Sequence, residues 1–197
     1  MSELMIDCIT SLDGYAAAEG WPGFWGLEGP EYLAWLDEPS EHEHTTLMGA
    51  NTYRLMSGFA AEMPDDPGFK QIAEMPKVVF SSTLEEPLWW ANTRLVNQDA
   101  VEVVREMKRD GTTPLRTLGS LSLCRSLLGA GLVDRFRVVV FPVITGSTGR
   151  ERIYDGYPDV ALEMVGSRTF DGRLQLLEFV PTVLSGPPGT DHGGRGA

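Results

Sequence analysis

The chain is poor in the residues that most often announce a chemistry. It has two cysteines, Cys8 and Cys124, in 197 residues. That number excludes a disulfide framework and a four-cysteine zinc site, and their apolar neighbours predict two buried, reduced thiols. There are three histidines, His42, His44 and His192. Glu41-His42-Glu43-His44 has the composition of a metal site, but side chains two apart on a helix diverge and no third ligand clusters with them. It is predicted to be a solvated loop or helix end. The same shortage of histidine argues against a Ser-His-Asp hydrolase. No apolar run approaches the roughly 18 residues of a membrane span. The start, Met-Ser-Glu-Leu-Met-Ile-Asp, lacks the features of a signal peptide, which predicts a cytoplasmic protein.

Positive charge is also scarce. The formal net charge is −12, and no Lys or Arg precedes Arg54, while ten Asp and Glu lie before it. Such a surface repels nucleic acid and anionic lipid. The nucleotide and hydrolase motifs Gly-x-Gly-x-x-Gly, Gly-x-x-x-x-Gly-Lys-Ser/Thr and Gly-x-Ser-x-Gly are all missing.

What is present is an alternation of strand-like and helix-like segments. Leu4–Ser11 reads as a strand ended by Asp13-Gly14, and Gly29-Pro30 opens a helix carrying Leu33, Trp35 and Leu36. Thr45–Met48 is a short strand running into a helix over 49–56. Lys77–Ser82 is a strand. Asp99 caps a helix, with Glu102 completing a capping box. Leu115–Leu118 is a strand, then Gly119-Ser120 opens a helix with Leu123, Cys124, Leu127 and Leu128. Arg135–Ile144 is a long strand rich in Val. Ala161–Thr169 and Arg173–Val180 flank Asp171-Gly172, a strong hairpin signal. Strands joined by helices predict an α/β domain with a mostly parallel sheet, finished by an antiparallel hairpin. The chain is long enough to bury about two thirds of its unfolded surface without staples. A single domain is expected over 1–184, and the Gly/Pro-rich 185–197 reads as a disordered tail in which His192 is idle.

Three strands end alike. Thr45–Met48 runs into Gly49, Ala50, Asn51 and Thr52; Val78–Phe80 into Ser81, Ser82 and Thr83; Arg116–Leu118 into Gly119, Ser120, Leu121 and Ser122. Open α/β sheets bind ligands outside the carboxyl ends of their strands, and helix N-termini offer N–H groups to phosphate. Small residues at such turns also arise for conformational reasons alone, but three on one sheet edge suggest a groove of dinucleotide size. A second feature is aromatic. Trp21, Phe24 and Trp25, among glycines, read as a loop lying over a planar ligand or as cover for the core, and Tyr32 and Trp35 follow, Trp35 on the core face.

Ser11-Leu12-Asp13-Gly14-Tyr15 resembles the opening of the dihydrofolate reductase-like reductases related to the riboflavin-biosynthesis reductase (RibD C-terminal) domain. Leu47-Met48-Gly49-Ala50-Asn51-Thr52-Tyr53 resembles their Gly-Arg-x-Thr-Tyr element. Lys77–Thr83 is similar to the third strand on their nucleotide side. The most specific stretch comprises Gly119–Leu123, Leu127–Asp134 and Phe141-Pro142-Val143-Ile144-Thr145-Gly146. The likeness spans about residues 4–181.

The resemblance implies a homodimer and an NADPH-dependent oxidoreductase, passing hydride to a small heterocyclic or carbonyl substrate. Gly49, Asn51 and Thr52, with Ala50 between them, would hold the pyrophosphate. Ser81, Ser82 and Thr83 would face the adenosine. Gly119, Ser120, Leu121 and Ser122 would border the pyrophosphate and nicotinamide ribose. Trp21, Phe24, Trp25 and Tyr32 would line the substrate side.

Two departures stand out. Ala50 occupies the place of the family's phosphate-binding Arg, a loss of about 10- to 150-fold in affinity, with Arg54 and Arg94 as candidate substitutes. Tyr32 takes the place of the acid of the true dihydrofolate reductases, with Glu31 beside it. Asp13 is the candidate proton source; its other reading is a turn-former before Gly14. Two alternatives remain: a non-catalytic dimeric protein holding a planar ligand in the aromatic pocket, and a reductase using flavin. The absence of a deaminase-like zinc motif argues against the bifunctional riboflavin enzyme.

Overall fold

The computed structural model describes residues 1–20 and 23–189; Trp21, Pro22 and 190–197, including His192, lie outside the described residues. An eight-stranded sheet runs through the molecule. Its strands are β1 (Leu4–Ser11), β3 (Thr45–Gly49), β4 (Lys77–Phe80), β5 (Thr93–Val96), β6 (Leu115–Thr117), β7 (Arg135–Phe141), β9 (Val160–Phe170) and β10 (Leu174–Val183), in the order β5-β4-β3-β6-β1-β7-β10-β9. The first six in that order are parallel; β10 and β9 are antiparallel. A separate two-stranded antiparallel sheet joins β2 (Tyr15–Ala18) to β8 (Gly149–Arg152).

Alternation along β1 explains the layering. Leu4, Ile6 and Cys8 are buried against α4 (Ala100–Asp110) and α5 (Leu121–Gly129), together with Val104, Cys124 and Leu127. Both cysteines are buried and free. The other face carries α1 (Pro30–Leu36), whose Tyr32 and Trp35 pack with Val139, Phe141, Phe170 and Leu176. A third cluster joins β3 and β4 to α2 (Ala50–Glu62) and α3 (Pro67–Glu74) through Met48, Tyr53, Val79 and Trp90. Among the described residues no helix is long and apolar enough to cross a membrane.

The parallel strands end where the sequence puts small and hydroxyl residues. Three of these strands stop earlier than predicted, β6 by one residue, at Thr117. β4 stops at Phe80, before the turn in which Thr83 and Leu84 N–H donate to Ser81 Oγ. β7 stops at Phe141, before Pro142, which has no N–H for a ladder. Asp99 caps α4 by accepting from Glu102 N–H, but the reciprocal half of the box is not used: the Glu102 carboxylate pairs with Arg105. The hairpin turn takes φ of +50° at Asp171 and +65° at Gly172, as a tight two-residue turn requires.

That turn also starts α1. Asp171 accepts from the N–H groups of Glu31 (3.0 Å) and Tyr32 (3.2 Å), while its own N–H donates to Glu31 Oε2 (2.6 Å). Gly29 is needed for this approach, since a Cβ there would lie 2.3 Å from Asp171 Cγ.

The Glu41–His44 segment is the expected helix end and loop, with Glu43 exposed, but Glu41 and His42 are half-buried and His44 is buried. Arg137 on β7 donates to both Asp7 and Glu41, and Arg116 on β6 pairs with Glu41 at 2.7 Å. The Arg137 guanidinium also lies over Trp35, 4.7 Å from the ring centre. Burial pushes the Glu41 carboxyl up, but the two guanidiniums outweigh it and hold it below its usual value. His42 Nε2 lies 2.7 Å from Leu36 O. His44 is 7% exposed, and burial, aided by Arg116, pushes its imidazole down to about 3. These groups carry charge balance under α1; the pattern looked hydrophilic because each charge has its partner on another strand.

Candidate functional site: a groove along the carboxyl ends of the strands

Two of the three strand ends are tied directly together. Ser120, at the start of α5, accepts a hydrogen bond from Gly49 N–H (2.6 Å) and donates to Thr52 Oγ1 (2.7 Å) in the first turn of α2. Ser120 has φ of +65° and Gly119 of +54°; a serine in this left-handed region costs roughly 1–2 kcal/mol. The hydroxyl bonds offset that cost. The approach is close: a Cβ on Gly49 would sit 3.3 Å from Ser120 Oγ, and one on Gly119 would sit 3.4 Å from Thr52 Oγ1. No side chain caps α2 at Gly49, so the N–H groups of its first turn face outward at the positive end of the helix.

The third strand end joins through Arg54. Its guanidinium donates to Asn51 Oδ1 (3.4 Å) and Thr83 Oγ1 (3.2 Å), bridging α2 and the loop after β4. Helical side chains lean toward the N-terminus, so a residue one turn after Ala50 delivers its charge over the turn that Ala50 begins. Among the described residues no carboxylate pairs with Arg54. Arg94 does not join the groove. It points to Met107 in the last turn of α4, beside Lys108, whose carbonyl accepts from Ser2 N–H just ahead of β1, at the opposite edge of the sheet.

The other predicted residues divide. Gly49, Ala50, Asn51, Thr52, Gly119 and Ser120 share one locus, with Ser81 and Thr83 across from Arg54. Leu121 turns into the core. The carbonyl of Ser122 accepts from Ser126 Oγ within α5. Ser82 is exposed.

Asp13 serves the turn. Its carboxylate accepts from Ser11 Oγ (2.7 Å), Thr145 N–H (3.1 Å) and Gly146 N–H (2.9 Å), and Ser11 Oγ in turn accepts from Tyr15 N–H (3.0 Å). The Ser11 hydroxyl first, then the two backbone N–H groups, lower its carboxyl to about 2. These contacts to Ser11, Thr145 and Gly146 are those of a turn-former. Glu31 is likewise committed, to Asp171 N–H.

The aromatic residues meet beside the groove. Ser11, ending β1, pairs with Phe141, ending β7, and β6 lies on β1's other side. Phe24 stacks on Phe141 (6.0 Å between centres, 26° between planes), Trp25 lies 5.3 Å from the same ring, and Tyr32 meets it edge-on at 5.7 Å. Burial pushes the Tyr32 phenol well above its usual range. Phe24 and Trp25 both hold positive φ, +55° and +50°, a conformation bulky residues adopt only where their surroundings impose it. Trp35 is 7% exposed, on the core face as expected. Sequence reasoning used Phe141, Thr145 and Gly146 only for the family likeness and gave them no role at the site; Thr145 and Gly146 meet Asp13 only after the fold closes.

The chain belongs to the RibD C-terminal domain family, whose model matches residues 2–176. It is 26% identical over 180 residues to the uncharacterized protein YyaP of Bacillus subtilis (strain 168), covering 88% of this chain and 93% of that protein. Its fold is that of a Shewanella sp. PV-4 protein assigned provisionally to riboflavin biosynthesis (TM-score 0.70, 20% identity, 91% of this chain and 99% of that one). It is also that of the dihydrofolate reductase of Enterococcus faecalis, solved with NADP(H) (TM-score 0.59, 13% identity, 91% and 96%).

Proposed function

We propose that this protein is an NADPH-dependent reductase that transfers hydride to a small heterocyclic or carbonyl substrate held in the aromatic pocket. The observation that carries the reading is the knot of Gly49, Thr52 and Ser120 beside the Arg54 guanidinium, which reaches Asn51 and Thr83. It brings an uncapped helix start, two close-approaching glycines and a cation with no carboxylate partner among the described residues to one place, in a protein of net charge −12. That donor set suits a phosphorylated cofactor.

Gly49, Ala50, Asn51 and Thr52 would hold the pyrophosphate, with Arg54 replacing the missing arginine at position 50. Ser81 and Thr83 would face the adenosine end, and Gly119 and Ser120 the nicotinamide ribose. NADPH, when bound, supplies the hydride. Phe24, Trp25 and Tyr32 exclude water and orient a planar substrate at the ends of β1 and β7. In this reading Asp13 positions the turn after β1 and gives up no proton. Titration with NADPH and NADH tests the reading.

We also propose a homodimer formed through β9. This strand closes the sheet order and, among the described residues, pairs on one side only, with β10. It exposes Leu162, Met164 and Val165 at 45%, 56% and 47%. Unpaired apolar edges of this length are ready to pair with another chain, and a second copy presents the same edge.

A further inference from the structure

At the edge of the sheet opposite the groove, a cavity of about 180 Å³ lies where β1, β3 and β6 begin. Buried His44 and half-buried Met5 and Arg116 line it, together with exposed Glu3, Ser40 and Glu43. His44 is the unusual member. It is 7% exposed, and burial, aided by Arg116, pushes its imidazole down to about 3, so the ring is neutral. Its Nε2 lies 3.4 Å from Thr46 Oγ1, while its Nδ1 is buried and has no hydrogen-bond partner among the described residues. Buried polar atoms without partners are rare in native proteins, and each one costs free energy. This one belongs to a residue in the wall of a cavity.

Charge decides what can fill the space. Arg116 and its neighbour Arg137 are balanced by Asp7 and Glu41. Glu43 has no cationic partner among the described residues, and Glu3 has Arg135 at 3.7 Å. The surplus is negative, which disfavours an anion. A metal ion needs several protein ligands, and among the described residues no three His, Cys, Asp or Glu side chains are grouped to hold one. An organic cation remains. The volume suits about six groups of the size of a water molecule, and Met5 and Pro114 offer hydrocarbon beside the polar side chains.

We propose that this cavity binds the primary ammonium group of a small aliphatic amine. The His44 ring proton sits on Nε2, toward Thr46, and Nδ1 accepts a charge-assisted hydrogen bond from the ammonium. Glu43 and Glu3 balance its charge, and its methylene chain lies along Met5 and Pro114. The site shares no residue with the cofactor groove or the aromatic pocket, and it does not depend on the reductase reading.

The test uses the full chain and two probes of equal charge and similar size, n-butylammonium and tetramethylammonium, which has no N–H to donate. Calorimetric titration of the wild-type protein should give n-butylammonium a dissociation constant below about 1 mM. Tetramethylammonium should bind about tenfold more weakly or worse, the effect of one hydrogen bond to a charged group. His44→Phe keeps a planar ring and loses the acceptor, and should remove the difference between the probes; thermal unfolding checks that the variant is folded. Glu43→Gln changes an exposed side chain, so it tests the site without risk to the core. It should weaken both probes alike, by about two- to fivefold, as the loss of one solvent-exposed charge partner. Equal affinities of the two probes for the wild-type protein, or no binding of n-butylammonium at about 10 mM, would overturn the inference. So would a difference that survives in folded His44→Phe, or affinities that Glu43→Gln leaves unchanged.

Discussion

The Ser120 hydroxyl donates to the Thr52 hydroxyl at 2.7 Å, and so ties the end of one parallel strand to the helix that leaves another. The same oxygen accepts from Gly49 N–H. Two junctions separated by some 70 residues of chain thereby become one rigid surface.

Removing that oxygen should loosen the groove. Ser120→Ala loses both bonds and keeps the left-handed backbone, and should cost about 1–2 kcal/mol of stability. Ser120→Gly loses the same bonds but relieves the left-handed cost of roughly 1 kcal/mol, so it should be clearly the milder substitution. Urea denaturation midpoints of the two variants give the comparison; Gly more damaging than Ala would contradict the account of the knot.

The charge at position 54 should act on phosphate. Arg54→Ala is expected to weaken NADPH binding about tenfold or more, by the loss of one charge-assisted contact. Ala50→Arg should tighten it, because it adds a second cation over the same helical turn. Fluorescence titration of both variants, with thermal unfolding as a check on folding, reads both effects. An unchanged affinity in each would move the phosphates away from α2.

Asp13 predicts a pH dependence of stability rather than of catalysis. Its folded value, about 2, lies below the ordinary 3.8. The stabilisation is therefore complete above about pH 4 and is lost as pH falls from there toward 2. Asp13→Asn should remove that part of the acid limb in unfolding measurements. A proton-donor role would instead make turnover in the neutral range depend on the Asp13 carboxyl.

The β9 edge should govern association. Met164→Lys places a charge on an exposed apolar strand edge, a device that proteins use against edge pairing. Light scattering should show a dimer for the wild-type protein and a monomer for the variant, with the fold unchanged by circular dichroism.

Much of this architecture was legible because local patterns and tertiary needs agreed. Leu4–Ser11, ended by Asp13-Gly14, has the limits read from the sequence, and Asp171-Gly172 marked the hairpin turn. Other features were hidden because their signals are not local. Tyr15 and Arg152 pair across most of the chain, and neither β2 nor β8 is long enough to show a period. β5, of four residues, escaped for the same reason. Asp7, Arg116 and Arg137 look like surface charges until three strands bring them together under Trp35.

The site divides in the same way. Glycines and hydroxyls at strand ends betrayed the groove, because those residue types are needed wherever backbone must approach closely. Arg54 stood out as the first cation of the chain, but its reach to Thr83 depends on how β4 lies beside β3. Nothing in the sequence separates Glu28 from Glu31. Only the fold commits Glu31 to Asp171 and leaves Glu28 Oε2 without a hydrogen-bond partner among the described residues.

The most direct test of the central claim is calorimetric titration of the purified protein with NADPH and, in parallel, with NADH. The account predicts NADPH binding at about micromolar dissociation constant, or roughly −8 kcal/mol, and clearly weaker NADH. Failure of both to bind at millimolar concentration would contradict a nicotinamide-cofactor groove, and would leave the aromatic pocket as the binding site of a protein that carries out no hydride transfer.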